Sequence, residues 1–184
     1  MITEALPIEV ASAAALLGEA FALTPQSRWI VPDDTDRPRR LAVLFEPLVE
    51  HAVKHGRVDL ILDQHVEIDA AAVWLPSDAP APPEPGPGRW ATFVAALAVR
   101  HPTEPHQHLA LLGVHPRRQG CGFGSRLLEH GHRGLREPAY LEAETPRLVA
   151  LYRRHGYWPG QAFFAPSGLP MWPMWRAVHG GAPG

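Results

Sequence analysis

The chain has 184 residues, 46% of them hydrophobic and 20% charged, enough apolar material for one domain whose core needs neither metal nor disulfides. Its formal net charge of -2 and its scattered arginines leave no basic stripe to neutralise a phosphate backbone, so nucleic acid is excluded as an expected partner. The single cysteine, Cys121, cannot close an internal disulfide, and the apolar run Ala11 to Leu23 is broken by Glu19 and too short for a bilayer, so a cytoplasmic protein with no membrane partner is expected.

From the N-terminus, Ile8, Ala11, Ala15, Leu16 and Phe21 recur at helical spacing, which predicts an amphipathic helix over Pro7 to Ala22 ended by Pro25. Asp33, Asp34, Thr35 and Asp36 offer capping side chains ahead of Pro38, and Leu41, Leu44, Phe45, Leu48 and Ala52 carry one apolar face to a stop at Gly56. That is a second helix, with Pro47 as the site for a kink. Val58 to Leu62 and Val66 to Leu75 flank a polar turn at Asp63 to His65 and read as an antiparallel hairpin. Pro76 to Gly88 is too proline-rich for helix or strand and is expected as a surface loop. Trp90 to Arg100 reads as helix and His108 to Val114 as a buried strand. Glycines 120, 122 and 124 then precede a helix from Ser125 to Leu135, followed by a strand over Ala139 to Ala143. Pro146 opens a short helix that Gly156 closes, and the aromatic tail Tyr157 to Arg176 supplies two last strands. No internal repeat or linker divides residues 1–184, so a single domain is expected.

Three glycines at alternate positions between a strand and a helix bare the backbone, so several N–H groups can face one anion at the positive end of the helix. A triphosphate-binding loop would need Gly-Lys-Ser or Gly-Lys-Thr, and no lysine stands near. A dinucleotide-binding unit fits the distance to Glu142, yet Arg117, Arg118 and Gln119 intervene between strand and glycine, and the spacing is wrong. His106 and His108 alternate along a strand without a cysteine or an obvious carboxylate partner, so no metal is expected. Cys121 reads as a small spacer facing the anion rather than an acyl carrier.

Gln119-Gly120-Cys121-Gly122-Phe123-Gly124 matches the Q/R-x-x-G-x-G/A signature of the GNAT superfamily of N-acetyltransferases. Leu111 to Pro116 resembles the fourth strand and exit of that family, Tyr140-Leu141-Glu142-Ala143 its fifth strand, and Leu151 to Tyr157 its LYxxxGF segment. More loosely, Ala20-Phe21, Arg28-Trp29, Pro32-Asp33 and Ala72 to Pro76 resemble the branch that includes puromycin N-acetyltransferase. The resemblance implies an α/β fold: a mixed, mostly antiparallel twisted sheet of six or seven strands, helices on both faces, splayed between strands 4 and 5.

It also implies acetyl-CoA as cosubstrate. The backbone of Leu112, Gly113 and Val114 would hold the pantetheine arm, and the stretch Gln119, Gly120, Cys121, Gly122, Phe123, Gly124 and Ser125 the diphosphate. Tyr152 matches the family's general acid for the departing thiolate. For the base, His108 stands near where some relatives carry a glutamate, and Glu142 comes next; other relatives use ordered water. Arg28 and Trp29 would border the acceptor, expected to be a small, partly apolar primary amine. Relatives often carry an asparagine four residues before the tyrosine; here Leu148 stands there, and that cofactor contact is lost. A non-catalytic acyl-CoA sensor and a protein N-terminal acetyltransferase are the alternatives, and the chain is expected to be a monomer or homodimer.

Overall fold

The structure is a computed structural model that describes residues 1–178. Its centre is a mixed eight-stranded sheet in which β1 (Ile2–Glu4), β2 (Arg57–Leu62), β3 (Ile68–Pro76) and β4 (Gln107–Val114) run antiparallel in that order. β5 (Ala139–Ala143) lies parallel to β4, and β8 (Pro170–Arg176) follows antiparallel to β5. Two short strands, β6 (Trp158–Pro159) and β7 (Phe163–Phe164), pair with β8.

One face is covered by α1 (Val10–Phe21), α2 (Pro25–Ile30), α3 (Arg37–His55) and α4 (Arg89–Ala98), the other by α5 (Phe123–His132) and α6 (Pro146–Arg154). Two apolar clusters result. Leu17, Leu41, Phe45, Val58, Leu60 and Val73 fill the first; Trp74, Leu109, Leu127, Leu128, Leu141 and Met174 fill the second. Alternation along the strands sends neighbouring residues to opposite clusters. On β3, accordingly, Val73 belongs to one and Trp74 to the other.

The pairing of β4 sets up the site. Its β3 edge is paired from Gln107 to Val114, but its β5 edge is paired only at Gln107↔Ala139 and His108↔Tyr140. From Leu109 onward that second edge is open, and β5 diverges from it. A bulge in the β3–β4 ladder at Val73/Trp74 reorients β4 just beyond His108. Gly113 has a packing reason of its own, since a Cβ there would lie 2.8 Å from the Leu17 side chain and 2.9 Å from Ala20, letting α1 sit directly on β4.

The expected elements are present with four differences, and the sheet has eight strands where six or seven were expected. Pro25 opens a helix instead of only closing one: Thr24 caps α2, its hydroxyl accepting from the Ser27 N–H at 3.3 Å. Val66, expected in strand, sits in the β2–β3 turn with φ 67°. The tail forms three strands where two were expected, and β1 adds an edge strand, because main-chain pairing to a ready sheet edge needs little side-chain pattern.

Candidate active site

The glycine turn lies where β4 hands over to α5. Pro116–Arg118 makes one tight turn, and Gly120 and Gly122 then take φ +82° and +79°, the left-handed region open to glycine at little cost. A Cβ at either position would meet nothing within 4 Å, so the open space there is not needed for packing. Among the described residues, the N–H groups of Gln119, Gly120, Gly122, Phe123, Gly124 and Ser125 donate to no protein acceptor. Six unpartnered donors thus stand at the start of α5, where a helix's positive end favours an anion.

The surrounding side chains brace this turn. Arg118 Nε donates to Asp69 Oδ1 at 3.0 Å, the Arg117 N–H donates to His115 Nδ1 at 3.2 Å, and His115 Nε2 stands 3.1 Å from Glu19 on α1. The Ser125 hydroxyl is engaged with His155 Nε2 at 2.9 Å, which leaves its N–H for an anion. Cys121 is exposed.

At the closed end of the splay, His108 Nε2 donates to Glu142 Oε2 at 3.0 Å. The expectation that these histidines lack a carboxylate partner therefore fails, because β5 carries Glu142 across to them. The tautomers follow from the network. His106 Nδ1 donates to the Glu104 carbonyl at 2.7 Å, so its Nε2 accepts from His101 Nε2 at 3.2 Å. Burial pushes His101 down to about 4 and lowers His106, so both rings are neutral at pH 7. His108 has its Nε2–H held by Glu142, which leaves Nδ1 outside that bond. Burial raises Glu142, but the His108 ring, the Tyr140 hydroxyl and His101 together outweigh it and the net pKa is lowered, so this carboxylate stays ionised and is a poor proton acceptor. Donor atoms of His101, His108 and Glu142 lie within 4.8 Å of one another, a set of the kind zinc uses, although hydrogen bonds already occupy the facing Nε2 atoms.

Tyr152, on α6, packs in the second cluster edge to face with Tyr157, at 5.7 Å between ring centroids. Among the described residues its hydroxyl has no hydrogen-bond partner, while that of Tyr157 is held by His132 Nε2 at 3.0 Å. Burial, with the nearby Glu144 carboxylate, raises the Tyr152 pKa above the phenol range, so the proton stays on oxygen at neutral pH. Arg28 is exposed on α2. Trp29 packs on the first cluster beneath the Arg89 guanidinium, 5.4 Å from its ring centroid, and its carbonyl accepts from Arg89 at 2.8 Å.

Two groups escaped the sequence reading. Glu144 follows β5 on the same side as Glu142, and its Oε2 is sealed from solvent without a partner. Gln26 on α2 is 4% exposed; its Oε1 accepts from Ser167 Oγ at 2.6 Å while its Nε2 is left unpartnered. The signal for Glu144 was present in Glu142-Ala143-Glu144, since alternate residues at a strand end share a face. None marks Gln26.

The β4–β5 pair is splayed, and a glycine turn with unpartnered N–H groups leads from β4 into the following helix. The Acetyltransferase (GNAT) domain family matches residues 88–159, from the loop before α4 to β6. Over its length the chain is similar to a Corynebacterium glutamicum protein described as histone acetyltransferase HPA2 and related acetyltransferase. That match has 29% identity and a TM-score of 0.74, and covers 96% of this chain and 95% of that one. The Drosophila melanogaster polyamine N-acetyltransferase has the same fold at 17% identity, with a TM-score of 0.70 and coverage of 96% and 99%. Arylalkylamine N-acetyltransferase 2 of Aedes aegypti has it at 10% identity, with 0.71 and coverage of 97% and 98%. Residues 88–159 thus carry an acetyltransferase domain of the GNAT type, and the chain shares the fold of GNAT acetyltransferases over nearly its whole length.

Proposed function

We propose that the protein moves an acetyl group from acetyl-CoA to a primary amine of a small molecule, by direct attack in a ternary complex. The observation that carries this reading is the glycine turn, with six free N–H groups beside the unpaired edge of β4. Acetyl-CoA supplies an activated thioester carbonyl, and the amine is the nucleophile that breaks its C–S bond.

The residues divide the work. The backbone of Gln119, Gly120, Cys121, Gly122, Phe123, Gly124 and Ser125 holds the diphosphate, and the free edge through Leu112, Gly113 and Val114 receives the pantetheine amides. Tyr152 donates its proton to the departing thiolate, which its high pKa keeps available. His108 accepts the proton released by the amine on Nδ1, with Glu142 orienting the ring and stabilising its charge. Arg28 and Trp29 stand on the acceptor side with α2. The names of the polyamine and arylalkylamine neighbours agree with a small amine.

Thiol release from acetyl-CoA over a panel of small amines tests the reading directly. Turnover with at least one amine is expected; acetyl-CoA binding with no thiol released across the panel replaces the enzyme by a sensor, and release only with peptide N-termini moves the acceptor to proteins. The anion turn has its own test. Gly122→Val forces a β-branched residue into left-handed backbone at a cost of about 1–3 kcal/mol. Acetyl-CoA affinity measured by calorimetry is expected to fall at least about 10-fold, a loss of about 1.4 kcal/mol. Unchanged affinity removes the diphosphate assignment.

A further inference from the structure

Glu144 lies four residues beyond Tyr140, the last residue of β5 that pairs with β4. At strand rise that is about 13 Å along the opening cleft. It stands between α2 and α6. The Thr24 hydroxyl and the Gln26 backbone N–H, at the start of α2, act on its carboxylate, and its charge is felt at Tyr152 on α6. Oε2 is buried and has no hydrogen bond. Among the described residues, no Arg, Lys or His acts on it, and Tyr152 is the titratable side chain that faces it.

A buried carboxylate without a cation is costly unless something brings one. Elsewhere the molecule provides counter-ions for its shielded acids: Asp59 has Arg57 at 3.1 Å, Asp69 has Arg118 at 3.0 Å and Glu142 has His108 at 3.0 Å. Glu144 alone among these four has no cation, and its charge acts on Tyr152. Gln26 adds the complementary group, a buried N–H donor with no acceptor, its amide orientation set by Ser167. An ammonium next to an oxygen would satisfy both.

We propose that Glu144 anchors the acceptor's ammonium as an ion pair and that, with the Gln26 amide, it selects primary amines bearing a carbonyl or hydroxyl oxygen close to the nitrogen. The proposal rests on the transferase reading and names the acceptor class for it. Its role is positioning and selection; the proton that leaves the amine still goes to His108. The apo carboxyl is held up to about 7 by burial, against the opposing effect of Thr24 and Gln26. It becomes an anion only as pH rises through that value, and a bound ammonium favours the anion and draws the titration downward. The sign for stability is the reverse. With a folded pKa above the model value of 4.5, Glu144 supports the free protein below that value, and the support is lost as pH rises through about 7.

The test uses the intact protein with glycinamide as probe, acetamide as the neutral match and ethylamine as the amine without an oxygen. In carbon-13 carboxyl NMR, the Glu144 resonance is expected to inflect near 7 in the free protein, at lower pH with glycinamide, and unmoved with acetamide. Ethylamine is expected to move it less than glycinamide; equal shifts remove the part assigned to Gln26. Glu144→Gln is expected to weaken glycinamide binding at least about 10-fold, a loss of about 1.4 kcal/mol, and to flatten the decline of Tm as pH rises from 4.5 to about 7, while Glu144→Asp restores part of the binding. An inflection that glycinamide leaves in place, or equal binding by Glu144→Gln, overturns the anchor. Acetyl-CoA affinity is read in the same samples, and its loss in the wild-type protein sinks the transferase reading instead.

Discussion

Tyr152→Phe is expected to lower kcat by about 10²–10⁴-fold, the usual contribution of a positioned general acid, while leaving acetyl-CoA affinity and Tm near wild type. The ring is part of the second apolar cluster and meets Tyr157 edge to face, and phenylalanine keeps both contacts. The hydroxyl it removes has no protein partner among the described residues, so no buried group is orphaned by the change. If the tyrosine served packing alone, turnover would survive the substitution. Thiol-release kinetics, calorimetry with acetyl-CoA and a melting curve on the same preparation separate the two roles. Because burial and Glu144 raise its pKa, the acid stays protonated through the alkaline side of the assay range, so Tyr152 contributes no loss of rate near its ordinary pKa of 10.

Arg37→Met carries the largest expected cost in stability, about 3–5 kcal/mol, from leaving buried carbonyls unpaired. Arg37 is the first residue of α3 and is 6% exposed. Its guanidinium donates to the carbonyls of Val31 at 2.7 Å, Pro32 at 3.0 Å and Ala22 at 3.2 Å. One planar cation thus ties together the C-terminal ends of α1 and α2 and the turn into α3, where partial negative charge favours it. Against a total stability of about 5–15 kcal/mol, the loss is large, and for a domain of this size it amounts to a fall in Tm of roughly 10 °C. Methionine keeps the apolar stem, so a smaller fall than this assigns the residue to packing. Lysine cannot reach three carbonyls with one ammonium and is expected to recover only part of the stability. Since α2 carries Gln26 toward Glu144, both variants should also raise KM for the amine more than they lower kcat.

Local signals carried much of the fold. β5 has the expected bounds, α6 opens at Pro146 behind a Thr145 cap that accepts from Leu148 at 3.2 Å, and Gly56 stops α3. The glycine turn was equally legible, since Gly120 and Gly122 are needed for their positive φ wherever the chain goes next. What was misread lay where a residue has two uses. Pro25 both ends one helix and begins another, and only the Thr24 side chain, folded back on Ser27, decides between them. Edge strands β1, β6 and β7 are two or three residues long, too short for any periodicity to declare itself.

By itself, then, the sequence determined the glycine turn, the helix and strand that flank it and the place of Tyr152 on α6, because each depends on residues close in the chain: bare glycines, caps and one recurrent spacing. Tertiary structure alone decided the partners. Glu142 reaches His108 across 34 positions, Ser167 reaches Gln26 across 141, and Glu144 stands without a cation because of what does not pack against it. The physical reason is that desolvation and pairing belong to the space around a side chain, and that space is filled by whichever distant segments the sheet brings alongside.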